Sequence, residues 1–379
     1  RRYHAEALEA KRRAPAAPSN AELATSYAAI ATDCMMTFEL EAALVHVRQA
    51  QALQGLPPAA MAVLFRQEAD IHRCADDFSS ALHRFEHAEK LSPQLDEKQA
   101  LKHLELLRLT LASSGNSMPQ QVRNAMSARV RHISAQLLAH GPWQRADQLP
   151  QRFLPGLLAK PWHLLPGQGP DEATSSGSRA DEAAAAWRQS QEWLKQGLSL
   201  LRSSHLSLVD EYADLDREGL LRRDTECIHR LHEAGAWRRF EVNAVWEARG
   251  ADGCAEASPS ACALVRKLRA AGMPLIRAGY SAVGPRAWLK PHHGVTNGQL
   301  KWHLGLRVPG DCATMRVGNE SRSWTEGEVL FFDDSFEHEV WNRCSSERVV
   351  FQLVFAHPQL SLIYGGAVET AALRATDDH

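Results

Sequence analysis

Up to about residue 140 the apolar side chains of this chain recur every three or four positions. After Gly235 they recur every second position, in short runs broken by glycine, proline and asparagine. One fold class cannot satisfy both spacings, because a helix face repeats about every 3.6 residues and a strand face about every 2. The sequence therefore predicts an α+β chain of two domains: a helical domain over 1–145, and a second domain over 146–379 whose β core runs from about 235 to 362. At 379 residues with 44% hydrophobic content, the chain is long enough to build two cores.

The helical part contains a repeat. EAALVHVRQAQAL at 41–53 overlays SSALHRFEHAEKL at 79–91, which aligns Ala43 with Ala81, Val47 with Phe85 and Ala50 with Ala88. The tetratricopeptide unit is about 34 residues long, and the extra residues between these copies fit an insertion at Pro57-Pro58. The reading is an α-solenoid of tetratricopeptide type, with a plain helical bundle as the alternative. Such a solenoid has no chemistry of its own and offers a concave surface to a peptide or protein.

The second domain opens near RFLPGLLAKPWHLLPG, 152–167, which has too many prolines and glycines for a long helix. A mobile loop is expected over 164–183, with helix resuming from Ala184 to about His232. Beyond Gly235 the short strands read as a barrel or jelly roll.

Charge narrows the partners. With 43 Lys plus Arg against 45 Asp plus Glu, the net charge of −2 argues against electrostatic capture of nucleic acid or of an anionic membrane. No run approaches the roughly 18 apolar residues of a membrane-spanning helix, and no signal segment opens the chain. The chain starts at Arg1 rather than methionine, as a processed or truncated product would. Seven cysteines without a CxxC or Cys/His pattern exclude zinc fingers. Cys254 and Cys262 bracket AEASPSA, either a loop closed by a disulfide or two unrelated thiols. That pair and the sequon Asn319-Glu320-Ser321 both suit a secretory lumen, with a cytoplasmic home as the alternative.

The strands carry the chemistry. In GQLKWHLGLRVP, 298–309, Leu300, Trp302, Leu304, Leu306 and Val308 share one face and Lys301, His303, Gly305 and Arg307 the other. That second row is either a solvated edge or, inside a barrel, a pair of donors for an anion. Arg348 opens the strand ERVVFQLVFAHP on the side of Val350, Gln352 and Val354, as a rim residue or as a clamp for a carboxylate. PHHGVTN at 291–297, the strand with Lys301 and His303, and DDSFEH followed by Arg348 stand in the order of the non-haem iron oxygenases. There an HxD or HxE pair and a distal histidine bind the metal on one face. Here the third position of that pair is Gly294, which has no side chain to coordinate a metal.

Residues 281–360, with GNESRSW and FFDDSFEHEVW as their most specific strings, resemble the catalytic core of the aspartyl/asparaginyl β-hydroxylases. Those are Fe(II)- and 2-oxoglutarate-dependent oxygenases in which glycine replaces the acidic ligand. The resemblance extends more thinly upstream through LLAKPWH at 157–163, GAWRRF at 235–240 and the Cys254/Cys262 loop. It implies a double-stranded β-helix (jelly roll, cupin-like), with Fe(II), 2-oxoglutarate and O2 as cofactor and cosubstrates. It also implies His292 and His338 as metal ligands, and Arg348 and Ser281 on the far carboxylate of 2-oxoglutarate. Lys301, arginine in the family, and His303 would stand at the chelating end. Among the acids around His338, Asp334 and then Asp333 are expected to orient that imidazole or a metal-bound water, with Glu337 and Glu339 facing solvent. The implied reaction is β-hydroxylation of Asp or Asn in a protein or peptide, in animals within disulfide-bonded EGF-like domains. Hydroxylation of a small molecule or lipid and a catalytically silent binding scaffold are the alternatives.

Overall fold

A computed structural model describes residues 2–12, 17–167, 178–223, 237–244 and 254–360. These fall into two compact units that part between Gly141 and Pro142.

The first unit is helical: α1 (Arg2–Arg12), α2 (Asn20–Met36), α3 (Leu40–Gln51), α4 (Pro58–Cys74), α5 (Phe78–Leu91), α6 (Glu97–Ser113) and α7 (Gln120–His140). Helices α2, α4 and α6 begin at Asn20, Pro58 and Glu97, in steps of 38 and 39 residues. Phe38 and Asp76 hold the same left-handed conformation, φ 62° and φ 60°, in the turns that lead into α3 and α5. All six residues aligned in the sequence repeat, from Ala43 to Ala88, are buried. The alanines let neighbouring helices approach, and Phe85 packs against the His103 ring of α6 at 5.2 Å. The Pro57-Pro58 insertion starts a helix: Pro57 precedes α4 and Pro58 occupies its first turn, where the missing N–H costs nothing.

A buried carboxylate ties these helices together. Glu68 on α4 is 1% exposed and accepts from Arg48 Nε at 3.1 Å and Gln51 Nε2 at 3.0 Å, with Arg84 Nε at 3.3 Å. Burial alone would raise its pKa, but hydrogen bonds from His72, Gln51 and Arg48 and the Arg84 charge outweigh it and bring it from 4.5 to about 2. The stabilisation is therefore complete above about pH 4.5 and is lost as pH falls towards about 2. Arg48 and Arg84 reach solvent, so Glu68→Ala leaves mainly the lost hydrogen bonds and is expected to cost about 1–3 kcal/mol by chemical denaturation.

The second unit holds α8 (Ser178–Ser203), α9 (His205–Arg217), α10 (Pro259–Ala270) and ten strands: β1 (Arg222–Arg223), β2 (Trp237–Ala244), β3 (Leu275–Val283), β4 (Ala287–His292), β5 (Gln299–Arg307), β6 (Ala313–Val317), β7 (Glu320–Ser323), β8 (Val329–Phe332), β9 (His338–Asn342) and β10 (Arg348–Ala356). Every ladder is antiparallel. The six-stranded sheet runs β1-β2-β3-β10-β5-β8 and the four-stranded sheet β4-β9-β6-β7, a double-stranded β-helix. One face of the large sheet is covered by α8, α9 and α10 through Trp187, Leu208, Leu264, Trp302, Phe351 and Phe355. Its other face meets the small sheet through Val283, Val350 and Phe332 against Leu289, Met315 and Val340. No described helix is long and apolar enough to cross a membrane.

The structure departs from the sequence reading in places. Helix α8 starts at Ser178, inside the expected loop 164–183, whose residues 168–177 lie outside the described residues. Helix α10 interrupts the region read as strands. Its buried Ala261, Leu264, Val265 and Leu268 carry the helical spacing that the surrounding turn residues mask. Cys262 sits on its first turn, so the Cys254–Cys262 disulfide joins a strand-end loop to a helix rather than closing a hairpin. A β-bulge between Val349 and Val350 shifts the β5 register, and Arg307 leaves the row of Lys301 and His303 to stack 5.1 Å over Tyr212. Residues 142–145, grouped by composition with the helices, fall in the second unit.

Cys312 and Cys344 form a second disulfide, bridging the start of β6 to the turn before β10. It spans 32 residues, and the chain-entropy relation gives about 3–4 kcal/mol for such a loop. Cys312→Ser should lower the unfolding free energy by that order, measured against the oxidised parent.

Candidate active site

The row predicted on β5 faces the space between the sheets. Val354↔Lys301 and Gln352↔His303 pair on one side of β10, and Val350↔Ser281 and Arg348↔Val283 on the other. Residues opposite in an antiparallel ladder share a face, so Lys301, His303, Ser281 and Arg348 line the same wall. From the facing sheet, β4 brings His292 and β9 brings His338, which pair directly in register.

The two imidazoles lie with ring centroids 4.1 Å apart. His292 Nδ1 is 2.7 Å from Lys290 O, and His338 Nδ1 is 2.9 Å from Phe336 O. A carbonyl can only accept, so each Nδ1 carries the proton and each Nε2 keeps its lone pair. Burial holds both rings neutral: it lowers the His292 pKa well below 6.5, helped by His338, and brings His338 to about 3, helped by Lys301. Two neutral, fixed imidazoles with open Nε2 atoms suit a divalent metal. The anchor of His338 is thus the Phe336 carbonyl, and not the carboxylate expected from the acidic sequence around it. Among the described residues no group of three or more His, Cys, Asp or Glu side chains is placed to hold a metal.

The acids around His338 divide. Asp334 lies 2% exposed against Lys301, Oδ2 to Nζ 2.6 Å, and its Oδ1 is buried with no donor. Asp333 turns away: Oδ1 accepts from Ser335 N at 2.9 Å and Oδ2 from Gln148 Nε2 at 3.3 Å. Burial, with the neighbouring Asp334 charge, raises the Asp333 pKa well above its ordinary value. Glu337 and Glu339 both bind Arg316, at 3.1 Å and 2.7 Å, where the sequence reading left them solvated. Gly294 shows why its position carries no acid. Its N–H donates to Asp334 O at 2.7 Å, and a Cβ there would sit 2.6 Å from Asp334 Cγ. The Asp334 carboxyl fills the space that a side chain at 294 would need. Gly294→Asp is therefore expected to lower stability by about 1–3 kcal/mol and to give no gain in metal affinity, read by thermal melting and by Mn(II) titration.

Arg348 is 2% exposed, and its Nε and Nη1 are buried without a hydrogen-bond partner. Its guanidinium lies 4.4 Å over the Trp324 ring. The His303 ring stacks on the same indole at 6.2 Å, and burial with the Arg348 charge keeps its pKa well below 6.5. Ser281 Oγ accepts from Trp237 Nε1 at 2.9 Å, which leaves its own proton to donate. An orphaned buried guanidinium beside a serine hydroxyl fits the carboxylate of an acid such as 2-oxoglutarate. Trp324 and Trp237 stand in the strings GNESRSW and GAWRRF that carry the resemblance without being singled out there as site residues, and Gln148, which has no such cue, reaches the site through packing.

Residues 203–358, which contain every one of these β5, β9 and β10 groups, match the aspartyl/asparaginyl beta-hydroxylase family. Over those residues the chain is similar to that family. Over 208 residues the chain is 33% identical to the aspartyl/asparaginyl beta-hydroxylase of Mus musculus and 32% to that of Homo sapiens, covering 54% of this chain and 24% of each relative. The chain thus spans about a quarter of the length of these relatives. It is also 40% identical over 105 residues to the ornithine lipid ester-linked acyl 2-hydroxylase of Rhizobium tropici, covering 27% of this chain and 36% of that protein. Among solved structures, a prolyl-4-hydroxylase of Pseudomonas putida overlaps 42% of this chain and 87% of its own, at 18% identity and TM-score 0.30. The likeness to the hydroxylase family thus rests on the sequence match over 203–358.

Proposed function

We propose that this chain is an Fe(II)- and 2-oxoglutarate-dependent dioxygenase that hydroxylates the β-carbon of Asp or Asn in a protein or peptide. The observation that carries the reading is the neutral pair His292 and His338, Nε2 atoms open, across from the unpaired buried guanidinium of Arg348. His292 and His338 would hold the metal, and Arg348 with Ser281 the far carboxylate of 2-oxoglutarate. Lys301 and His303 would stand at its chelating end. When bound, Fe(II) with 2-oxoglutarate and dioxygen supplies the oxidising power to hydroxylate an unactivated C–H bond, releasing succinate and carbon dioxide. The chain's own residues position these groups. The Lys290 and Phe336 carbonyls fix the two ring tautomers, and Lys301 fixes the Asp334 carboxylate. The apolar layer of Val283, Val350 and Phe332 keeps water from the closed side of the wall.

The family supports Asp or Asn as the target, and the helical repeats suit a protein client. EGF-like domains are the client class taken from analogy. The lipid-hydroxylase relative favours a second reading, turnover on a lipid acyl group. Both are tested by incubating the protein with Fe(II), 2-oxoglutarate and either Asp/Asn peptides or lipids, following succinate and a mass gain of one oxygen atom. Peptide-dependent gain supports the main reading, and gain only on lipid supports the second. No gain on any substrate overturns the enzyme and leaves a binding scaffold.

A further inference from the structure

Before the β-helix begins, residues 143–165 run along it as a strap. Trp143 Nε1 donates to Pro150 O at 2.8 Å, Arg152 N to Val295 O at 2.9 Å and His163 N to Phe331 O at 2.9 Å. At its start is a tight turn, Arg145–Gln148, closed by Gln148 N to Arg145 O at 3.2 Å. This turn grips the five-residue loop 333–337 that joins β8 to β9. Asp147 O accepts from Glu337 N at 2.8 Å, and Arg145 lies 5.2 Å over the Phe336 ring. Gln148 is fully buried, and its single amide nitrogen donates to Ser335 Oγ at 2.9 Å and Asp333 Oδ2 at 3.3 Å. It therefore straddles residue 334 from both sides.

We propose that Gln148 is a positioning residue for the metal site, acting through loop 333–337 to aim Asp334 and the Phe336 carbonyl that orients His338. The inference rests on the function proposed above. The argument is one of constraint. A five-residue connection has little internal hydrogen bonding of its own, and the Ser335 N to Asp333 Oδ1 bond closes only one side of it. Backbone bonds hold its ends, Asp333 N to Pro161 O at 3.1 Å and Glu337 N to Asp147 O at 2.8 Å, and the buried Gln148 amide adds side-chain bonds to Ser335 Oγ and Asp333 Oδ2 on either side of residue 334. The loop carries the Asp334 carboxyl against Gly294 and Lys301, and the Phe336 carbonyl against His338 Nδ1. If the 333–335 turn rotates, both are misplaced together. Groups one step removed from a metal ligand change affinity or activity by about 10–100-fold.

The test uses the full chain and Mn(II) as the probe, with binding read by calorimetry on the metal-free protein. Gln148→Met keeps the volume and removes the donor. Mn(II) affinity is expected to fall by about 10–100-fold and kcat with it, while KM for 2-oxoglutarate is unchanged. Ser335→Ala should shift Mn(II) affinity in the same direction and serves if Gln148→Met folds poorly. Because Gln148 works through Asp334, adding Gln148→Met to Asp334→Asn should weaken Mn(II) less than the two separate effects combined. Trp143→Phe loosens the same strap away from the loop and should lower Tm without moving Mn(II) affinity. A Gln148→Met protein with lowered Tm and wild-type Mn(II) affinity would make Gln148 merely structural and overturn the proposal. So would full additivity with Asp334→Asn. Mn(II) binding that survives His338→Ala at parental affinity would instead overturn the metal site itself.

Discussion

His338→Ala is expected to abolish succinate formation and to weaken Mn(II) binding by more than about 100-fold, beyond the range seen when only a neighbour of a ligand is lost. The size of the effect follows from the number of ligands. His292 and His338 lie ring to ring in the site, their Nδ1 atoms held by carbonyls and their Nε2 atoms left for a metal, and position 294 cannot supply a third group because the Asp334 carboxyl already fills its space. A site with three protein ligands can lose one and keep two. Here the loss leaves one, and no acid stands ready to replace it, since Lys301 holds Asp334 at 2.6 Å. Fold stability should fall by about 1–3 kcal/mol, since alanine opens a cavity and leaves the Phe336 carbonyl without its donor, but no charge is stranded. Calorimetric titration of the parent and variant with Mn(II), alongside thermal melting, separates the two effects. Parental metal affinity in the variant would refute the site.

The second large effect combines lost function with gained stability. Arg348→Met should weaken 2-oxoglutarate binding by about 2–5 kcal/mol, which at about 1.4 kcal/mol per tenfold is a 30- to several thousand-fold rise in Kd. The same change removes a buried guanidinium whose Nε and Nη1 have no partner, and should stabilise the ligand-free protein by about 1–4 kcal/mol. A residue present only for structure would give the opposite sign. Burial lowers the guanidinium pKa, yet arginine stays protonated and ready for a carboxylate. An Arg348→Met protein that still saturates at parental cosubstrate levels would count against this role.

Much of the site could be read from sequence because strands alternate. The period-two pattern of 298–309 put Lys301 and His303 on one face, and the ladder with β10 brings them onto the wall with Arg348. The same logic failed at Arg307, where a bulge breaks the period. It also failed at α10, whose helical spacing lies between Pro/Ser-rich stretches. In the helical unit the six aligned repeat positions are all buried, since a repeat that packs copy on copy must bury the same face each time.

The resemblance to a known family implied His292, His338 and Arg348, whereas the residue pattern by itself determined two domains of different periodicity, the shared face of Lys301 and His303, and the absence of an acid at 294. Those properties are local, set by spacing along one strand or one helix. Only the tertiary structure decided that Asp334 fills the space beside Gly294, that a carbonyl rather than a carboxylate orients His338, that Cys312 meets Cys344, and that Gln148 holds the loop. Each of these joins residues distant in the chain or depends on how a loop is folded, and no local spacing encodes which buried donor will meet which acceptor.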